Sequence, residues 1–72
     1  MKKVSFVIPC YRSEHTLPHV VKEIREKMQE LTQYEYDIFL VNDASPDNTM
    51  GTIRDLCDKY DNIKGIEIGR AS

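Results

Sequence analysis

An asparagine and an aspartate, Asn42 and Asp43, end the most strand-like stretch of the sequence, and the turn residues of "ASPDNT" follow them. Two interpretations of this pair compete. Asn and Asp commonly end strands and begin turns, because their short polar side chains hydrogen-bond to nearby backbone groups. A carboxylate at a strand end can instead accept hydrogen bonds from a nucleobase edge or from ribose hydroxyls. The local pattern alone favours turn chemistry, so the fold around Asp43 has to decide.

A second set of candidate ligand residues lies in "IPCYRSE", residues 8–14. Tyr11 directly follows a predicted strand and can stack on a planar base, but a tyrosine packed on a neighbouring loop fits the pattern equally well. Arg12 suits either a phosphate or solvent. Glu14 suits either a ligand or the start of the first helix, where its charge would interact favourably with the helix dipole.

The elements that position these residues alternate along the chain. Apolar periodicity predicts strands over residues 4–9, 36–42 and 63–69, and helices over 16–32 and 49–60. The order β-α-β-α-β is typical of an α/β fold with right-handed crossovers and a parallel sheet. We therefore expect half of a doubly wound, Rossmann-like domain, whose ligands bind outside the carboxyl ends of the strands. Those ends carry "PCYRSE", "NDASPDN" and "GRAS".

Several boundaries are predicted from single residues. The first strand is expected to be mostly buried and to end at Pro9, which lacks an N–H group for the sheet. Thr16 is the expected N-cap of the first helix. The second helix has three alternative caps, Ser45, Asp47 and Asn48.

Composition excludes several classes of function. The formal net charge is −2 and charges of both signs are interspersed, which argues against binding nucleic acid or anionic membranes by bulk electrostatics. No apolar run is long enough for a membrane span, and no secretory signal is present. Cys10 and Cys57 have neither disulfide nor metal-site spacing, so a reducing cytoplasm is expected. Both glycine-rich phosphate motifs, G-x-G-x-x-G and G-x-x-x-x-G-K-[ST], are absent.

The size of the chain is a further constraint. At 72 residues the core is modest, and the sequence stops in a loop after the third strand. We expect the first part of a larger domain, whose exposed sheet edges would favour self-association.

Taken together, "VSFVIPCYRSEHTLPHVV" and "YDIFLVNDASPDNTMGTIRDL" resemble the N-terminal part of a family 2 glycosyltransferase of the GT-A fold. The polyprenyl (dolichyl) phosphate sugar synthases and related bacterial inner-membrane enzymes are the most similar. The resemblance covers Lys3 to Arg70, so residues 1–72 would be the nucleotide-binding part of the catalytic domain. It implies a nucleotide-diphospho-sugar donor, UDP- or GDP-linked, and transfer of the sugar with Mg²⁺ or Mn²⁺.

Position by position, the resemblance also implies roles for five residues. Pro9 and Tyr11 would line the base pocket, with Tyr11 against the ring. Ser13 or Glu14 would lie near the base or ribose. Asp43 matches the second residue of the acidic pair of the family, which binds the base.

Two departures and one absence qualify what the resemblance implies. Asn42 replaces the more usual first acid of the pair, and Arg12 replaces a common Asn. The family's metal-binding D-x-D motif does not occur in these 72 residues. We therefore expect the chain alone to be inactive. Some members carry C-terminal membrane helices, which leaves membrane association of a longer parent open.

Two alternatives of other classes stay open. A phospho-accepting receiver module also ends a strand with Asp, but it needs further acids after the first strand, where only Glu14 is present. A non-catalytic interaction module would use the open sheet of an incomplete α/β unit.

Overall fold

The computed structural model describes residues 2–44 and 46–68. They form three strands and two helices in the order β1 (Lys2–Cys10), α1 (Leu17–Glu30), β2 (Tyr34–Asp43), α2 (Thr49–Lys59) and β3 (Ile63–Ile68). The strands make one parallel sheet in the order β1-β2-β3. The predicted β-α-β-α-β architecture is confirmed, with β2 in the centre, as its apolar sequence indicated. The "GRAS" segment lies outside the described residues.

The core lies between the two helices and one face of the sheet. Side chains of a strand alternate between faces, and on β2 it is Ile38 and Leu40 that are fully buried. Buried residues of both helices pack against them: Leu17 and Val21 from α1, and Ile53 and Leu56 from α2. Both helices therefore cover the same face of the sheet.

The opposite face of the sheet, which we call the open face, carries five apolar side chains, Val7, Phe39, Val41, Ile66 and Ile68. Register places Val7 beside Phe39 and Val41 beside Ile66. Val7 is 67% exposed and Ile68 is 52% exposed. The prediction that the first strand is mostly buried is therefore wrong, because among the described residues both helices pack on the other face.

The first strand also continues beyond Pro9, contrary to the sequence prediction. Pro9 pairs with Val41, and Cys10 pairs with Asn42. Since β1 has β2 on one side only, alternate N–H groups of β1 point away from the sheet. Proline is tolerated at such positions of an edge strand. The pairing therefore reaches one residue closer to the loop than Pro9 suggested.

Thr16 is the N-cap of α1, as predicted, but its side chain forms no capping hydrogen bond. Its hydroxyl instead donates to the carbonyl oxygen of Ser13 at 3.4 Å. Asn48 is the N-cap of α2, also without a side-chain capping bond, and Ser45 lies outside the described residues. The helix starts are thus correctly located by sequence, but not the hydrogen bonds that stabilise them.

Two close contacts join neighbouring elements, one between the two helices and one between the sheet and α2. The guanidinium of Arg25 on α1 lies 3.7 Å from the ring centroid of Tyr60, at the end of α2, in a cation–π contact. On β3, Gly65 faces α2 so closely that a Cβ atom there would lie 2.6 Å from Cγ2 of Ile53. Nothing in the residues around Gly65 indicates this packing role in advance.

Candidate nucleotide-binding edge

The carboxyl ends of β1 and β2 lie side by side. Cys10 and Asn42 are register partners, so the residues that follow them, Tyr11 and Asp43, begin from adjacent strand positions. Tyr11 is 57% exposed and Asp43 is exposed. The fold therefore brings the predicted aromatic and acidic residues to one solvent-accessible edge.

Pro9 lies on the same side of this edge as Asp43. Its register partner is Val41, and strand alternation places Val41 and Asp43 on the open face. Pro9 is itself exposed. The predicted base-pocket residues on the strands thus share one face.

The Asn-Asp pair divides into two environments. Asn42 is only 3% exposed, and its Nδ2 donates to the Glu67 carboxylate at 2.8 Å (Oε2) and 3.2 Å (Oε1). This bond ties β2 to β3. Asp43, one residue later, is on the opposite face and open to solvent. Asn42 therefore has a structural role, and Asp43 is the member of the pair that is placed to meet a ligand.

The loops that follow β1 and β2 are hydrogen-bonded to each other through Thr49. The N–H of Ser13 donates to Thr49 Oγ1 at 2.9 Å. The Thr49 hydroxyl in turn donates to Asp47 Oδ1, which also accepts the Thr49 N–H at 3.2 Å. Thr49 is fully buried, so its hydroxyl is a fixed junction between the loops.

Glu14 adds a second link between the loops. Its N–H donates to Asp47 Oδ2 at 3.5 Å, and its Oε1 accepts the N–H of Asn48 at 3.2 Å. The Thr52 hydroxyl donates to the Glu14 carbonyl oxygen at 3.2 Å. Glu14 thus contacts the start of α2, in addition to lying two residues before the N-cap of α1. We call Ser13, Glu14, Asp47 and Thr49 the loop clamp.

The loop clamp also affects the titration of Asp47. The Thr49 hydroxyl, followed by the N–H groups of Thr49 and Glu14, holds the pKa of the Asp47 carboxyl below its usual value. Asp47 is therefore ionised at neutral pH. Since the folded state lowers this pKa, the stabilisation is complete above the unfolded-state pKa of Asp and is lost as the pH falls through the lowered value.

Each loop contains, within its first two residues, a left-handed residue that is not glycine. Arg12 has φ 51° and Ala44 has φ 46°. Such backbone conformations cost about 1–3 kcal/mol each and persist where surrounding contacts enforce them. The guanidinium of Arg12 also lies 5.6 Å from the ring centroid of Tyr11. The two loops are thus held in specific, strained shapes next to the two exposed candidate residues.

A comparison with known proteins identifies the family of the chain. The model of the family described as "Glycosyl transferase family 2" matches residues 5–71. The chain belongs to this family.

Three members of the glycosyltransferase family illustrate which proteins this chain is similar to in sequence. It is 36% identical over 62 residues to an undecaprenyl-phosphate 4-deoxy-4-formamido-L-arabinose transferase of Proteus mirabilis, covering 86% of this chain and 19% of that protein. It is 41% identical over 54 residues to a bactoprenol glucosyl transferase of Shigella phage SfV, covering 75% and 17%.

It is also 31% identical over 64 residues to a dolichyl-phosphate beta-glucosyltransferase of Trichomonas vaginalis, covering 83% of this chain and 20% of that protein. The resemblance seen in the sequence, polyprenyl-phosphate sugar enzymes included, is therefore confirmed. The chain spans about a fifth of the length of these relatives.

The resemblance to glycosyltransferases implies a metal ion, but the described part of the chain contains no set of residues that could bind one. Over residues 2–44 and 46–68, no three His, Cys, Asp or Glu side chains are grouped closely enough to hold an ion. The structure thus offers no residues through which a metal-dependent step can be derived.

Neither of the two helices in the described part of the chain is long and apolar enough to cross a membrane.

A separate groove of about 280 Å³ lies between β1 and α1 of the glycosyltransferase chain. Its lining residues are Phe6, Val20, Glu23, Ile24 and Lys27. None of the five residues predicted to bind nucleotide lines it. The candidate site therefore remains the carboxyl edge, where Pro9, Tyr11, Ser13, Glu14 and Asp43 are found.

Sequence reasoning missed two residues at this carboxyl edge of the sheet. Asp47 was considered only as one of three helix caps, and Thr49 was not considered at all. The available signal was their spacing, because an Asp whose side chain accepts the N–H two residues on is a common turn motif. That spacing does not reveal that the same two residues also hold the loop after β1.

Proposed function

We propose that this chain is the nucleotide-binding part of a glycosyltransferase that uses a UDP- or GDP-linked sugar. The observation that carries the proposal is the register of β1 and β2, which brings Tyr11 and Asp43 to adjacent, exposed strand ends. In this proposal the Tyr11 ring stacks on the base, and the Asp43 carboxylate accepts hydrogen bonds from base N–H groups. Family membership supports a sugar-transfer reaction for the whole protein.

The roles of Pro9, Ser13 and Glu14 are part of the same proposal. Pro9 contributes an apolar wall on the face that carries Asp43. Ser13 and Glu14 lie beside the base or ribose. The Glu14 Oε1 atom already accepts the N–H of Asn48, so its other oxygen is the one that would accept a bond from the ribose.

For the acceptor, we propose a lipid phosphate or a glycan. The names of the relatives from Proteus mirabilis and Trichomonas vaginalis refer to undecaprenyl phosphate and dolichyl phosphate, which supports a polyprenyl phosphate. The whole protein would then act in the cytoplasm or at the cytoplasmic face of a membrane, with Mg²⁺ or Mn²⁺ held by residues other than those described. On its own, the 72-residue chain would bind nucleotide without transferring sugar.

Titration of the ¹⁵N-labelled chain with UDP and, separately, GDP tests the proposal. We expect amide shifts at Tyr11 and Asp43 for one nucleotide, because its base would cover both strand ends. Ribose 5-phosphate is the control, since it carries ribose and phosphate without a base. Absence of shifts with both nucleotides at millimolar concentration, in a chain whose amide spectrum is that of a folded protein, would contradict the proposal.

A second candidate, the interaction module, is favoured by the open face. Parallel sheets are ordinarily covered on both faces. Among the described residues Val7, Ile66 and Ile68 are exposed, and in a solution of the purified chain a second copy would cover them. We therefore propose that the purified chain self-associates through this face and the adjoining sheet edges.

Sedimentation velocity at increasing protein concentration measures this self-association. We expect a concentration-dependent dimer, and we expect Ile66→Lys to shift the equilibrium to monomer because a desolvated ammonium is costly. Gln29→Lys, at an exposed position of α1, is the control, because it also replaces a neutral side chain with lysine. Unmodified chain that stays monomeric at high concentration would count against the interaction module.

The receiver-like alternative has less support. It needs further acids around Asp43, and the described residues form no group of three potential metal ligands. The first acid after β1, Glu14, has one carboxylate oxygen engaged with the backbone of Asn48.

A further inference from the structure

We propose that Asp47 and Thr49 are positioning residues that set the place of Tyr11 relative to Asp43 before nucleotide binds. The inference rests on the proposed function, because it assumes that Tyr11 and Asp43 contact the base. It goes beyond that function in assigning a role to two residues that need not touch the ligand.

The first step is the junction at Thr49. This side chain is fully buried, and its hydroxyl both accepts from the Ser13 N–H at 2.9 Å and donates to Asp47 Oδ1. A hydroxyl with both functions used is fixed in direction. Removing the Thr49 hydroxyl would leave the Ser13 N–H without its hydrogen-bond acceptor.

The second step is the carboxylate of Asp47. Its two oxygens accept the hydroxyl and N–H of Thr49 on one side and the N–H of Glu14 on the other. An ionised carboxylate is suited to this because it is an acceptor only, with room for several bonds. Asp47 thus belongs by sequence to the loop after β2 but bonds directly to the loop after β1.

The third step connects the loop clamp to the candidate ligand residues. Ser13, held by Thr49, donates from its own hydroxyl to the carbonyl oxygen of Tyr11 at 3.1 Å. Asp47 is four residues after Asp43 in the other loop. The left-handed residues Arg12 and Ala44 lie within these same short segments. The hydrogen bonds of the loop clamp are contacts that can maintain these strained conformations.

The consequence for binding is preorganisation. A loop that is already fixed does not have to be ordered when the ligand arrives, and that ordering cost would otherwise weaken affinity. Loss of the loop clamp should therefore reduce nucleotide affinity while the sheet and helices stay folded.

The test is a set of variants at Thr49, titrated with the nucleotide that the unmodified chain binds. Thr49→Val keeps the shape but removes the hydroxyl, and we expect affinity to fall about 5- to 30-fold, the effect of one buried hydrogen bond. The Ser13 amide should also exchange faster with solvent. Thr49→Ser, which restores the hydroxyl, should return both affinity and protection to within about twofold of the unmodified chain.

Asp47→Ala is the second variant, in case Thr49→Val does not fold. Asp47 is exposed, so its removal leaves the core intact, and we expect a similar loss of affinity. If the unmodified chain binds nucleotide and the folded variants bind it equally well, the positioning role is overturned while the proposed function stands. If the unmodified chain binds neither UDP nor GDP, the proposed function fails and this inference fails with it.

Discussion

Replacing Gly65 with alanine should lower the free energy of unfolding by about 1–3 kcal/mol, the usual cost of overpacking a well-packed site. The new Cβ would lie 2.6 Å from Cγ2 of Ile53, closer than atoms in proteins pack. Ile53 is fully buried and its Cγ2 sits on a branched Cβ, so it cannot swing away. A chain of this size has a total stability of only roughly 4–10 kcal/mol, so the loss is a large share.

The chain offers a matched control in Gly51→Ala. With Asn48 in its present position, a Cβ at Gly51 would lie 2.5 Å from Asn48 Oδ1. That oxygen is at the end of an exposed side chain that forms no capping hydrogen bond. Asn48 can rotate, and alanine gains up to about 1 kcal/mol over glycine within a helix. We expect urea denaturation to show Gly65→Ala clearly destabilised and Gly51→Ala unchanged or stabilised. Equal effects of the two substitutions would contradict the packing described for β3 and α2.

Removing the carboxylate of Asp43 should weaken nucleotide binding by roughly 10- to 100-fold. A hydrogen bond to a charged group contributes about 1.5–3 kcal/mol, and each 1.4 kcal/mol is a factor of ten in affinity. Asp43 is exposed at the end of β2, so Asp43→Ala should leave the fold and the free energy of unfolding nearly unchanged. The effect is therefore expected in the dissociation constant alone.

Asp61→Ala is the control for Asp43→Ala. Asp61 is exposed in the turn before β3, at the opposite end of the sheet, and its loss changes the net charge by the same amount. Dissociation constants from the amide shifts of the two variants separate a local contact from a general charge effect. A loss of affinity that is equal in both variants, or absent from Asp43→Ala, would exclude Asp43 as the base-binding acid.

The elements of the fold could be predicted because their signals are local. The apolar run of β2 and the apolar stripes of α1 and α2 are set by residues close together in the sequence. The alternation of strands with helices then predicts a parallel sheet. The behaviour of Pro9 could not be predicted in the same way. Whether a proline interrupts a sheet depends on the strand order, and only an edge strand tolerates it as β1 does.

The candidate site shows the same division between local and long-range information. Tyr11 and Asp43 could be proposed because ligands bind at the carboxyl ends of parallel strands. The bond from Asn42 to Glu67 and the loop clamp could not, because each joins segments 25 or more residues apart. The left-handed conformation of Ala44 also could not be predicted, because alanine has no preference for that conformation.

The sharing of β2 by the two halves of the sheet has a consequence for how the chain folds. Lys2 pairs with Tyr34, and Ile38 pairs with Ile63, so the two crossovers close chain segments of about 32 and 25 residues. The entropy of closing them differs by only about 0.2 kcal/mol, too little to impose an order of assembly. Strand length then favours the first half, because β1 extends over nine residues and β3 over six. Among the described residues, we therefore expect the β1-α1-β2 unit to form first and β3 to dock after it.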